Sequence, residues 1–139
     1  MAITYAEFKE YNKNREFSEY SEFVKLIKEL EELYDVEEDF KFFYPKNVFN
    51  QNQWEIIIFL KDGFLTIKES KIGFRYEQFH CKLVSKFLYK SDHDSSDQHL
   101  KLVFDNEKEL ILQSLADSNT YWVKEYAKVI REIYKTISK

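Results

Sequence analysis

The polar stretch at residues 91–99 carries the side chains best suited to hold a metal ion. Its aspartates and histidines are of the types that bind divalent cations: Asp92, His93, Asp94, Asp97 and His99. The spacing fails the pattern of a calcium-binding EF-hand loop, because Asp97 stands where that loop needs glycine and Val103 where it needs glutamate. We therefore keep these five residues as candidate ligands and predict a solvated loop that holds neither metal nor cofactor.

The neighbouring residues His80 and Cys81 have the side chains of a base and a nucleophile. A nucleophilic cysteine needs a base within hydrogen-bond reach and donors for an oxyanion. Successive residues of a strand point to opposite faces, so His80 is not placed to activate Cys81. The two glycines in the sequence build no glycine-rich loop. We predict a structural cysteine and no catalytic residue.

Six basic side chains are candidates for a surface that attracts phosphate groups: Lys68, Lys71, Arg75, Lys82, Lys86 and Lys90. If residues 82–90 form a strand, Lys82, Lys86 and Lys90 share one face. The alternative is a solvated sheet whose lysines prevent aggregation of strand edges. The net charge is −4 and arginine occurs only three times, so we predict no nucleic-acid partner.

An aromatic run in the middle of the chain is the remaining candidate for a binding pocket. It comprises Phe40, Phe42, Phe43, Tyr44, Phe49 and Trp54. Aromatic rings supply a large buried area each, so a role in the core is the commoner use of such residues. No dinucleotide fingerprint, phosphate-binding loop or serine-centred catalytic motif is present in the sequence.

The composition predicts a single cytoplasmic domain. A chain of 139 residues is long enough to bury a core without a disulfide or a metal. Its one cysteine fits a reducing compartment, and no signal peptide or apolar run of membrane-spanning length is expected. Many lysines with few arginines and glycines suggest an AT-rich bacterial genome.

Charge divides the chain into two parts. Residues 1–40 hold 12 acidic and 5 basic side chains, a net charge of −7, whereas the remainder hold 13 acidic and 16 basic, a net charge of +3. We therefore expect the acidic N-terminal segment to dock against the rest of the domain, although exposed ion pairs add only about 0–1 kcal/mol each.

The periodicity of apolar residues predicts an α+β domain. Spacings of three and four predict a helix at residues 18–34, a weaker one near residues 5–11, and a third helix from residues 117–119 to near the C-terminus. Alternating apolar residues and turn residues predict about seven antiparallel strands in a bent sheet or partly open barrel: 40–44, 53–60, 64–68, 72–79, 82–89, 100–104 and around 110–112. The domain 1–139 is thus read as an acidic helical segment 1–38, a β region 39–116 and an amphipathic C-terminal helix 117–139.

This order of elements, with Trp122 near the start of the last helix, resembles the pleckstrin-homology-like superfold over about residues 39–139. The resemblance implies two bent sheets whose open end is plugged by the helix. Lipid-binding members carry a basic pattern in the first hairpin loop, which is missing at residues 45–53, where Lys46 is the one basic residue. The whole chain also resembles an uncharacterised family of small proteins from low-GC Gram-positive bacteria.

We therefore expect a non-enzymatic module that binds a protein or peptide, or serves as a scaffold. The partner would add to an open sheet edge or lie between the sheet and the C-terminal helix. The alternative is a small ligand-binding protein or enzyme with an aromatic-lined cavity. A homodimer formed through an exposed aromatic patch is a third possibility.

Overall fold

The computed structural model describes residues 3–90 and 96–137. Its helices are α1 (Tyr5–Lys13), α2 (Tyr20–Leu33), α3 (Val36–Asp39) and α4 (Val123–Thr136). Its strands are β1 (Phe42–Lys46), β2 (Glu55–Leu60), β3 (Gly63–Ser70), β4 (Gly73–His80), β5 (Leu83–Lys90), β6 (Gln98–Phe104) and β7 (Glu109–Gln113). The antiparallel strands form a first sheet, β1-β2-β3-β4, and a second sheet, β5-β6-β7. The predicted α+β class is confirmed.

In β1, β2 and the first half of β3, the first sheet is buried on both faces and forms the middle layer of the domain. One face packs against α1 and α2 through Phe43, Ile56, Ile58, Leu65 and Ile67. The other face packs against the second sheet and α4 through Tyr44, Ile57, Phe59 and Phe64. Burial on both faces explains why β2 reads as a continuous apolar run and not as an alternating one.

The N-terminal segment docks through apolar contacts. Phe23, Leu26 and Leu30 lie on one side of α2 and are fully buried against the first sheet. The ion pair of Lys9 with Glu31 joins α1 to α2 and lies within the acidic segment itself. Docking is therefore driven mainly by burial of apolar surface, whereas the charge difference between the two parts contributes little.

The β1 strand extends through Pro45, where the sequence pattern predicts its end. Proline lacks an N–H donor, which is tolerated because β1 is an edge strand and has a neighbour on one side only. The short helix α3 was not predicted. It begins where the Asp35 side chain accepts a hydrogen bond from the Glu38 N–H at 3.3 Å.

The second sheet also departs from the sequence reading. A bulge between Leu83 and Ser85 shifts the register with β6, and Lys82 lies before the strand.

The two sheets do not close into a barrel. The resemblance to the pleckstrin-homology-like superfold remains a prediction. Among the described residues, none of the helices has the length and apolar character needed to cross a membrane.

Candidate functional site

An open groove runs between the free edge of β1 and α4, and we call it the edge groove. Its volume is about 860 Å³. Phe42 and Phe43 line it from β1, Val129 and Glu132 from α4, and Ile3 from the segment before α1. The ends of α1, α2 and α3 complete its wall. Residues distant in the sequence thus form one concave, partly aromatic surface beside a strand edge.

The β1 edge beside this groove has backbone groups turned away from β2. The Tyr126 hydroxyl donates a hydrogen bond to the Pro45 carbonyl, so this residue directs its polar backbone group toward α4. Alternate residues of an antiparallel strand direct their N–H and C=O groups to the same side. Phe43 therefore turns its N–H and C=O toward the groove.

A buried polar network holds the far end of β1 in place. The Asp117 carboxylate accepts hydrogen bonds from the Tyr44 hydroxyl at 2.6 Å and from the Gln113 N–H at 2.7 Å. The Lys46 ammonium lies 3.8 Å from the other carboxylate oxygen and donates to the Ile111 carbonyl at 2.9 Å. Burial raises the pKa of Asp117, although Lys46 and Tyr44 oppose that shift. The network fixes β1 against the connection that leads into α4.

The rim of the edge groove carries uncompensated negative charge. Lys9 and Glu31 neutralise each other at 2.7 Å, and the Lys9 ammonium, together with the Tyr5 hydroxyl, lowers the pKa of Glu31. Glu37 and Glu132 are exposed on the rim, and within the described ranges neither forms an ion pair. With Asp35 and Lys41 included, three acidic side chains face one basic side chain, a net charge of −2.

A second open groove lies where the sheets part near the β2–β3 hairpin, and its volume is about 1020 Å³. It holds His80, Cys81 and Lys82 together with Phe42 and Ile137. The pKa of the Cys81 thiol is raised, mainly by burial and to a smaller extent by the nearby Asp105 carboxylate. A raised pKa leaves the thiol protonated near neutral pH, which disfavours a nucleophilic role.

Of the candidate metal ligands, Asp92, His93 and Asp94 lie outside the described residues. Asp97 accepts hydrogen bonds from the Ser114 hydroxyl at 3.0 Å and from the Leu115 N–H at 3.3 Å, and its other oxygen lies 3.2 Å from His99 Nε2. These contacts give Asp97 a role in joining β6 to the turn after β7. No group of three or more metal-binding side chains occurs in the part of the chain that is described.

The first three candidates for a basic surface lie at one end of the β3–β4 hairpin. Lys68 and Arg75 stand directly opposite each other, and each has an acidic partner, Glu55 at 3.7 Å and Glu77 at 3.3 Å. Lys71 is exposed in the turn. Lys82 lies just after the opposite end of β4. At the usual rise per residue of a strand, the length of β4 places it roughly 25 Å from the turn that holds Lys71.

The remaining two lysines lie on β5. The Lys86 ammonium donates to the Tyr134 carbonyl at 2.6 Å and sits 4.4 Å from the centre of the Tyr134 ring. Lys90 is exposed at the end of the strand. The structure therefore does not gather the six basic residues into one surface, because Lys86 faces α4 and the others lie at separate ends of the sheets.

The aromatic run divides between the core and the edge groove. Tyr44 and Trp54 are buried in the core, Phe43 is buried and also borders the groove, and the half-buried Phe40 and Phe42 line it. Sequence reasoning missed the contribution of Ile3 and Glu132. Val129 falls within the predicted C-terminal helix, but its position opposite β1 depends on how α4 packs.

The fold and its grooves define the chain as a small α+β protein. It has two antiparallel sheets, helices on both sides of the first sheet and an open groove at a strand edge. A family model described as "Protein of unknown function (DUF3908)" matches residues 4–128, and the chain belongs to that family. No curated protein matches the chain. No solved structure matches it either.

Proposed function

We propose that this chain is a cytoplasmic, non-enzymatic binding module of pleckstrin-homology-like shape whose partner is a protein or peptide segment. The observation that supports this proposal is the edge groove, where an apolar surface lies beside β1, an edge strand with a strand neighbour on one side only. Extended peptides bind such edges through main-chain hydrogen bonds and place alternate side chains in adjacent pockets. The division into four and three strands with one closing helix also supports the proposed shape.

The alternative of a ligand-binding protein or enzyme has weaker support. Both grooves are large enough for a metabolite, but both are open along their length. The second groove holds His80 and Cys81, and the raised pKa of the Cys81 thiol argues against nucleophilic chemistry there. A peptide module fits the open form of the edge groove better than an enzyme does.

The test is selection of binders from a displayed library of random peptides, followed by a variant that fills the groove. Val129→Trp places a bulky ring between α4 and β1 without changing charge, so we expect affinity for the selected peptides to fall at least about tenfold. Val24→Trp is the matched control, because Val24 is 45% exposed on α2 and does not line the groove. Thermal unfolding checks that both variants fold.

Peptides that bind the Val129→Trp variant as well as the native protein would contradict the proposal, as would a selection that yields no binder. An affinity measured by isothermal titration calorimetry, equal in the native protein and Val24→Trp and reduced in Val129→Trp, would support it.

Self-association is a second candidate function, favoured by the outer face of the second sheet. Phe87, Lys101 and Ile111 stand in one registered row across β5, β6 and β7. Phe87 is 57% exposed, Ile111 is 46% exposed, and Tyr89 beside them is 64% exposed. Antiparallel sheets that face water usually carry polar residues there, so exposed aromatic rings are typical of an interaction surface.

If this face forms a homodimer, Phe87→Lys should keep the protein monomeric, because it replaces an exposed aromatic ring with a second positive charge beside Lys101. Ile72→Lys is the matched control, since Ile72 is 99% exposed in the β3–β4 turn. Light scattering at increasing concentration should show the mass of a dimer for the native protein and the control, and that of a monomer for Phe87→Lys. A native protein that stays monomeric at every concentration would remove this candidate.

A further inference from the structure

The occupant of the edge groove can be assigned a chemical class, an inference that rests on the proposed function. We infer that the partner is an extended, basic peptide segment with at least one large apolar side chain. It would lie along β1, with its backbone against Phe43, its apolar side chain in the groove and its lysines or arginines on the rim. Three independent features of the groove carry this inference.

The first feature is the short length of free strand edge. The Pro45 ring has no N–H, and its carbonyl already accepts the Tyr126 hydroxyl. The Lys41 N–H donates to the Phe59 carbonyl at 2.8 Å. The alternation along β1 leaves the N–H and C=O of Phe43 as the pair on this edge, and Phe43 is 5% exposed, so at most one peptide residue can form two main-chain hydrogen bonds there. A partner seated on so short an edge needs side-chain contacts as well.

The second feature is the apolar surface on either side of that edge. Phe42 from β1 and Val129 from α4 are half-buried and line the groove together with the buried Ile3. A cavity with aromatic and aliphatic walls accepts a large apolar side chain, and neighbouring residues of an extended peptide point the opposite way. The apolar anchor and the charged residues of the partner therefore alternate.

The third feature is the sign of the charge on the rim. Glu132 lies on α4 and Glu37 lies on α3, and both line the groove. In the ranges that the structure covers, neither carboxylate has an ion-pair partner. Because Lys9 is already paired with Glu31, the rim offers negative charge from two separate elements, α3 and α4. Complementary charge steers binding and excludes acidic partners.

The experiment uses three displayed peptide libraries with equal apolar content and with positive, neutral or negative net charge. We expect binders from the positive library, with affinity that falls as salt concentration rises. Glu37→Lys combined with Glu132→Lys should weaken these peptides about tenfold, whereas Glu10→Lys with Glu16→Lys should not. The control pair makes the same change in net charge at exposed positions outside the groove.

The main-chain contact has its own test. Methylating each backbone nitrogen of a selected peptide in turn should abolish binding at the single residue that pairs with Phe43, since methylation removes its donor. Methylation of the residues on either side should have a much smaller effect.

The outcomes separate this inference from the proposed function. Neutral or acidic peptides that lose affinity on Val129→Trp would overturn the basic class and leave the groove as a peptide site. The basic class would also be overturned if a second copy of the chain occupied the groove and Val129→Trp abolished that association. If no peptide from any library responds to Val129→Trp, both the inference and the proposed function fail.

Discussion

Replacing Phe23 by alanine should lower the free energy of unfolding by about 4 kcal/mol, the usual cost of removing a buried aromatic ring. Phe23 is fully buried between α2 and the first sheet. Its ring lies 5.0 Å from that of Phe8, 5.3 Å from Phe17 and 5.3 Å from Trp54, measured between ring centres. The rigid sheet behind it can collapse only partly into the cavity.

Urea unfolding followed by tryptophan fluorescence measures this loss, because Trp54 lies against the same cluster. Leu33→Ala is the matched control on α2, where Leu33 is 59% exposed. The control should change the free energy of unfolding by no more than about 0.5 kcal/mol. Equal effects of the two substitutions would show that α2 does not pack on the sheet as a structural layer.

Replacing Asp117 by alanine should lower the free energy of unfolding by about 3 kcal/mol. The change leaves the Tyr44 hydroxyl and the Gln113 N–H without an acceptor in a buried site, and it removes the carboxylate nearest to Lys46. Each buried donor without a partner costs about 1–3 kcal/mol. Tyr44→Phe removes one donor and keeps the carboxylate, so it should cost less, about 1 kcal/mol.

The pH dependence of this difference has a definite sign. Burial raises the pKa of Asp117 in the folded protein, so the carboxyl group retains its proton to a higher pH than in the unfolded chain. Its contribution to stability is complete below the unfolded pKa of about 4 and declines as pH rises through the folded pKa. The stability difference between the native protein and Asp117→Ala should therefore be smaller at pH 7 than at pH 4.

Thermal and urea unfolding across that range measure this trend. A difference that grows as pH rises would show that the ionised carboxylate is favoured in the folded state. Costs below about 0.5 kcal/mol for both Asp117→Ala and Tyr44→Phe would show that the network does not hold β1.

Local patterns in the sequence determined the identity of most elements. The helical spacing of Phe23, Leu26 and Leu30 is enough to place α2, because one side of a helix must be apolar to pack. The Asp62-Gly63 pair between two apolar runs likewise indicates the hairpin turn that joins β2 to β3. Gly63 has a φ of +152°, and a side-chain carbon there would lie 1.8 Å from the Phe79 carbonyl oxygen, so only glycine fits.

The tertiary structure alone decided how these elements form a site. Phe42 and Val129 line the same groove although they are far apart in the sequence. Lys86 turns to α4 although strand periodicity allowed it to face solvent with Lys90. Residue type and spacing report which face of an element is apolar, since that is a local property. Residue type and spacing do not show which other element that apolar face packs against, because the packing of distant elements depends on the shape of the whole core.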